Sequence, residues 1–245
     1  MDIRLDSLLI FLYSIYVYST TIVSQFSTHQ ILFNIGVIGV LRQLSFGISD
    51  YIDTSIDSTH SELQNRYFVK KRPSIFNLCS MISVHLFTYY AYGIHTPFHN
   101  FLFTLTCFYS SIIKLIPFLK GFFTAFFLTY PAVYTTQEIN VEFLLYIFVF
   151  CFRYEIIKDM FDADNDKKRG IITFGNTFHH MKLQYFLFYS SLLLSAFSSW
   201  PYRVCYLLQS LDQIGNVNYL EYMRKISKRM FLLGLMGLHF SHTVT

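Results

Sequence analysis

Seven apolar stretches dominate the chain, at 8–26, 31–52, 75–93, 98–113, 118–136, 141–162 and 183–199. Roughly 20 mostly apolar residues, within a range of about 17–25, is the length at which a helix crosses a bilayer. Such runs constrain the fold more than any other feature. In hydrocarbon the backbone N–H and C=O groups have no water to bond, so only helices and closed barrels can span. These runs are long and show no sustained alternation, which selects helices over barrel strands. Composition agrees: 14% of residues are charged, 53% are hydrophobic and mean hydropathy is +0.39, whereas soluble domains are about a quarter charged. The expected fold is therefore all-α: a multi-span membrane helical bundle forming a single domain over residues 1–245.

Two weaker apolar runs follow, at 201–214 and 230–241, and loop charge decides whether they count. Lys70, Lys71 and Arg72 follow the second run, Lys114 and Lys120 follow the fourth, and Lys167, Lys168 and Arg169 follow the sixth. An even number of crossings separates these loops, so they share one face, which the positive-inside rule makes cytoplasmic. The loops after the first, third and fifth runs contain no Lys or Arg. Arg224, Lys225, Lys228 and Arg229 reach the same face only if 201–214 also crosses, giving about nine transmembrane helices with a short or tilted eighth.

Proline placement fits that division. Pro73, Pro97, Pro117 and Pro201 stand at or near run boundaries, where a missing N–H is harmless. Pro131 lies inside the fifth run and predicts a kink or an early end. The first run, Leu8 to Val23, lacks the basic n-region and small-residue site of a signal peptide and is expected to remain as an anchored span. Cys79, Cys107, Cys151 and Cys205 lie far apart in apolar sequence, so no disulfide is expected. The formal net charge of +4 sits mostly in short loop runs, which points away from nucleic acid as a partner.

Against this background the acids are concentrated. Of 15 Asp and Glu residues, eight fall in SDYIDTSID (49–57) and RYEIIKDMFDADNDKKRG (153–170), and seven of the eight are Asp. Asp50, Asp53 and Asp57 are spaced i, i+3, i+7, and so are Asp159, Asp162 and Asp166. On a helix that spacing stacks three carboxylates along one face. An ionised Asp at mid-membrane costs about 2.5–3.5 kcal/mol on insertion scales, so a row of three calls for neutralisation. Hard oxygen donors suit Mg²⁺, which typically takes one or two carboxylates together with substrate phosphates. Two such rows on the cytoplasmic face, ringed by Lys and Arg, point to a metal-bridged diphosphate. The plainer alternative is helix-end acids paired with Lys167, Lys168 and Arg169, although the repeated spacing weighs against it. An EF-hand is excluded, because DADNDKKRG lacks the sixth-position Gly and the twelfth-position Glu.

These motifs resemble those of the UbiA superfamily of intramembrane prenyltransferases. SDYIDTSID resembles that family's first aspartate-rich motif, with Ser49 where Asn is usual. RYEIIKDMFDADNDKKRGIIT resembles the second, through Arg153, Lys158, the three aspartates, Gly170 and Thr173. Tyr109 to Gly121 resembles the Tyr-to-Lys stretch between the fourth and fifth helices, and KKRP resembles the start of the third. The resemblance implies nine helices around a central cavity, with Mg²⁺ held by Asp50, Asp53, Asp57, Asp159, Asp162 and Asp166, the residues expected to carry catalysis. It implies a polyprenyl diphosphate donor contacted by Lys114, Arg72, Arg153 and Lys158, with Tyr109 as a further substrate contact. It also implies transfer of the prenyl group, through an allylic carbocation, to an aromatic or similar lipophilic acceptor. A membrane terpene cyclase, in which the prenyl chain quenches its own cation, is the alternative enzyme. A cation transporter or scaffold is the non-enzymatic one.

Among the remaining polar residues, Glu155 is expected to pair or to face a cavity, since it is an acid inside a span. Glu138 and Glu142 are expected to be solvated, as are His179 and His180, while His95 and His99 are separated by Pro97 and read as loop residues.

Overall fold

A computed structural model describes residues 9, 12–14, 16–17, 79, 82–83, 86, 115–136, 140–168, 170–211 and 220–243. The chain divides into two compact units, one formed by Met1–Ile35 with Pro117–Thr245 and the other by Gly36–Ile116. In the second unit Cys79, Ile82, Ser83 and Leu86 are helical. The first unit contains six helices: α1 (Leu119–Thr136), α2 (Val141–Lys168), α3 (Phe174–Thr177), α4 (His180–Phe197), α5 (Tyr202–Ser210) and α6 (Leu220–Thr243). All regular structure among the described residues is helical. None of these helices is both long and apolar enough to cross a membrane.

The 28-residue α2 is the hub, packing on each of the other five helices. Its first half buries Phe143, Tyr146, Ile147, Phe150 and Cys151, spaced i, i+3, i+4, i+7, i+8, so one face is turned to the core while Val141 and Leu145 stay exposed. Asn140 starts it: the side-chain oxygen accepts the Phe143 N–H at 3.0 Å, and the backbone carbonyl accepts that of Leu144. Glu142 in the first turn and Lys167 and Lys168 in the last complement the helix dipole. Glu142 also accepts from the Ser199 N–H at 2.9 Å and from its hydroxyl, so it ties α2 to the α4–α5 connection. At the other end the Ile171 N–H bonds the Asp166 carbonyl at 2.9 Å and the Gly170 N–H bonds that of Lys167 at 3.1 Å. With Gly170 at φ +69°, this is a Schellman stop. The helix thus outlasts the apolar run ending at residue 162 and carries the whole second acid row.

Helix α1 approaches α2 closely because Gly121, Ala125 and Thr129, spaced i, i+4, i+8, bury small side chains. A Cβ on Gly121 would stand 3.3 Å from the Phe152 ring. The expected early end at Pro131 does not occur, and α1 continues to Thr136. A proline removes only its own N–H from the ladder, and the bonds on either side can resume.

Around α2, α5 turns Tyr202, Cys205, Tyr206, Gln209 and Ser210 inward, and α6 contributes Ser227, Phe231, Leu235 and Leu238. Phe231 stacks on Phe150 with ring centroids 3.7 Å apart, and its carbonyl accepts the Tyr146 hydroxyl at 3.3 Å. At nine residues, α5 is about 14 Å long, well under the roughly 30 Å of a hydrocarbon core. His179, expected to be a solvated side chain, caps α4 by accepting the Met181 N–H at 3.3 Å.

Arg153 is fully buried among these helices. One terminal nitrogen donates to the Leu187 carbonyl and the Ser191 hydroxyl on α4, and the other donates to the Gln209 carbonyl on α5 at 2.8 Å. Replacing it by Lys keeps the charge but loses the fork that reaches two helices. Arg153→Lys is expected to cost about 1–3 kcal/mol, the penalty of leaving buried polar groups unsatisfied. Thermal unfolding of the purified protein in detergent checks this.

Candidate active site

The acid row of α2 closes on a lysine. Lys120, in the first turn of α1, places Nζ 2.5 Å from Asp159 Oδ1 and 3.1 Å from Asp166 Oδ2. All three side chains are at most 7% exposed. The helix dictates which acids meet. At about 100° per residue, Asp166 lies within about 20° of Asp159 around the axis, while Asp162 is offset by about 60°. Asp159 and Asp166 therefore share Lys120, and Asp162 stands half-buried beside them. Arg153 is about 120° away by the same count, and its guanidinium binds α4 and α5.

Three backbone devices hold this arrangement. Phe118 precedes α1 with φ +62°, a left-handed conformation that is costly for a side chain with a Cβ. It is held by its N–H, 3.4 Å from the Ile172 carbonyl, and by its ring against Phe174 at 5.0 Å between centroids. The Thr124 hydroxyl bonds the Lys120 carbonyl at 2.9 Å. On the other side α3 is pressed directly onto α2: a Cβ at Gly175 would fall inside the Asp159 carbonyl and against the Met160 nitrogen. Asn176 secures that turn by accepting the Thr173 N–H at 2.9 Å and donating to the Ile171 carbonyl at 2.6 Å.

Two buried oxygens beside the row have no hydrogen-bond partner, Glu155 Oε2 and Thr173 Oγ1. Glu155 lies one turn before Asp159, with Oε2 3.6 Å from the Lys158 ammonium. It is thus a pairing residue, whose Oε2 is met by a charge without a hydrogen bond. Phe118, Phe122, Phe152 and Phe174 form an aromatic cluster where α1, α2 and α3 meet, with Phe152 edge-on to Phe174.

Of the residues singled out in the sequence, Asp159, Asp162, Asp166, Arg153 and Lys158 are described, whereas Asp50, Asp53, Asp57, Arg72, Tyr109 and Lys114 lie outside the described residues. Lys120 and Gly175 were missed as site residues. In the sequence Lys120 serves only as a marker of sidedness, yet a lone Lys in an apolar run is itself a signal, since Lys is almost never buried unless paired. The tightness at Gly175 has no local signature.

The chemistry of the row fits a hard divalent cation in part. Its donors are carboxylates, as Mg²⁺ requires. But Mg²⁺–oxygen distances are about 2.0–2.1 Å, and an ion bridging Asp159 Oδ1 and Asp166 Oδ2 would need the volume that Lys120 Nζ fills. That pair does not fit a metal while Lys120 is in place, and among the described residues no group of three His, Cys, Asp or Glu side chains is placed to hold one.

No family model matches the sequence, and neither does any curated protein. Solved structures share its fold. A UbiA homologue from Aeropyrum pernix K1 superimposes with a TM-score of 0.67 at 12% identity, with 96% of each chain covered. A digeranylgeranylglyceryl phosphate synthase matches at 0.64 and 14% identity, covering 97% of this chain and 94% of that one. A UbiA homologue from Archaeoglobus fulgidus, solved with DMAPP and Mg²⁺, matches at 0.60 and 16% identity, covering 94% and 95%. At these identities the likeness establishes the fold: the chain is built as UbiA homologues are.

Proposed function

We propose that this chain, built on the UbiA fold, is a divergent member of that superfamily that transfers a prenyl group from a polyprenyl diphosphate to an aromatic or similar lipophilic acceptor. The observation that carries the reading is the buried acid row of α2, closed by Lys120, in a fold shared with a homologue that binds DMAPP and Mg²⁺. A membrane location and a nine-helix bundle belong to the same proposal. Support comes from the seven apolar runs and from the outer face of α4, where Phe186, Tyr189, Leu193 and Phe197 are exposed. An apolar stripe of that size suits lipid better than water. The positive-inside count places the acid clusters on the cytoplasmic face.

The residues proposed to hold Mg²⁺ are Asp162 and, on sequence alone, Asp50, Asp53 and Asp57; when bound, the ion supplies Lewis-acid neutralisation of a departing diphosphate. The chain's own part is electrostatic and spatial. Lys158, partly exposed at the same end of α2, adds a point charge for phosphate oxygens, as Lys114 and Arg72 are proposed to do. Fixed charges of this kind favour ionisation of the allylic C–O bond, because they are already oriented when charge develops. The aromatic cluster offers ring faces to an allylic cation, each worth about 0.5–2 kcal/mol. Glu155, whose Oε2 is paired with Lys158 but accepts no hydrogen bond, is a candidate acceptor for the proton lost after attack.

Incubating membranes that contain the chain with a prenyl diphosphate, Mg²⁺ and a set of phenolic and lipid acceptors, with products read by mass spectrometry, tests the proposal. Asp162→Asn should lower the rate by at least about a hundredfold, the scale of losing one electrostatic stabiliser, while the unfolding temperature stays unchanged. Full activity in Asp162→Asn would sink the assignment of the row. Diphosphate release with cyclic hydrocarbon products and no prenylated acceptor would replace transferase by cyclase.

A further inference from the structure

We infer that Lys120 is a built-in replacement for a metal ion at Asp159 and Asp166, so that the α2 row binds diphosphate with a resident ammonium where a second Mg²⁺ would otherwise sit. The inference rests on the reading of the row as a diphosphate site and says which cation serves it. Three observations support it. Nζ contacts one oxygen from each of the two acids that share a helix face, at 2.5 and 3.1 Å, and so occupies the bridging position itself. Lysine and both acids are almost completely buried, so the contact is an interior one, not a passing surface pair. The helix turn that carries Lys120 is braced by the left-handed Phe118 and its bond to Ile172, which sets the ammonium's approach from outside its own side chain.

The substitution has an electrostatic consequence. An ammonium cancels one of two carboxylate charges, where Mg²⁺ would cancel both, so the pair keeps one negative charge that a metal would have removed. An incoming diphosphate meets a less positive site. Such a site should depend on fewer dissociable ions, and the rate should rise with Mg²⁺ concentration without cooperativity.

The test counts ions on the full-length protein in detergent or nanodiscs, with Mn²⁺ as the probe and a non-ionisable prenyl thiodiphosphate present, by electron paramagnetic resonance. Three proteins are compared: wild type, Lys120→Met, and the triple variant Lys120→Met/Asp159→Asn/Asp166→Asn. The triple variant removes the whole charge cluster, and so avoids leaving any member of it buried alone. If Lys120 stands in for a metal, the triple variant binds as many Mn²⁺ ions as wild type, and Lys120→Met binds one more. If the triple variant binds one fewer than wild type, Asp159 and Asp166 are ordinary metal ligands and the inference is overturned. Should Lys120→Met not be recovered folded, the comparison of wild type with the triple variant decides alone. If none of the three binds Mn²⁺, the metal-assisted diphosphate reading itself fails, an outcome distinct from the loss of a single ion.

Discussion

Lys120→Met should destabilise the protein by about 3–5 kcal/mol, the cost of removing one partner from a buried ion pair. The effect is large because both acids lose their cation together: Nζ stands within 3.1 Å of Asp159 and Asp166, and neither carboxylate is more than 7% exposed. Coulomb repulsion between the acids then goes unopposed in a poorly solvated place. Most of the loss should return when Asp159→Asn and Asp166→Asn are added, because replacing a buried ionic cluster as a whole is often close to neutral. A double-mutant cycle on unfolding free energy, measured by denaturant titration in detergent, isolates the coupling. If the triple variant is as unstable as Lys120→Met, the lysine acts through its packing instead of its charge.

The second large effect is expected at Gly175. In Gly175→Ala the new methyl would enter the space of the Asp159 carbonyl. Overpacking against a flexible side chain costs about 1–3 kcal/mol, and here the obstacle is helix backbone, so about 3 kcal/mol or more is expected. The turn of α3 would have to lift from α2, taking with it the Asn176 bonds to Thr173 and Ile171. Gly170→Ala is the informative control. A Cβ there meets nothing within 4 Å, but φ is +69°, so only the left-handed penalty of about 1–2 kcal/mol applies. Thermal unfolding of the two variants should therefore rank Gly175→Ala below Gly170→Ala. The reverse order would mean that α3 is loosely seated.

How much of this was legible beforehand differs from element to element. The start of α1 and the extent of its run were readable within a residue, because apolar runs bounded by Pro and Asn announce themselves. The spacing of Asp159, Asp162 and Asp166 was readable as one face of a helix, and α2 does carry all three. A linear spacing rule could not show that the face divides, with Asp159 and Asp166 taken by one lysine. That partner lies 39 and 46 residues away in sequence. Arg153 was assigned to diphosphate by analogy, although turn geometry alone places it on another side of α2 from Asp159. The one-turn α3 was invisible, since four residues contain no period to detect. Of the kink or early end expected at Pro131, the early end does not occur, because a single missing N–H does not end a helix that packing supports.

The guanidinium of Arg153 also bears on how the protein is made. Its acceptors, Leu187, Ser191 and Gln209, are synthesised 34 to 56 residues after it. In the bilayer proposed for this chain, an arginine in a lone helix costs about 2.5–3.5 kcal/mol to insert. Helix α2 would therefore sit poorly in lipid until α4 and α5 emerge, and the three would settle together late in translation. A chain truncated before residue 187 should then be recovered with α2 incompletely inserted, as glycosylation-mapping of its ends would reveal. The residue that joins the finished bundle would also set the order of its assembly.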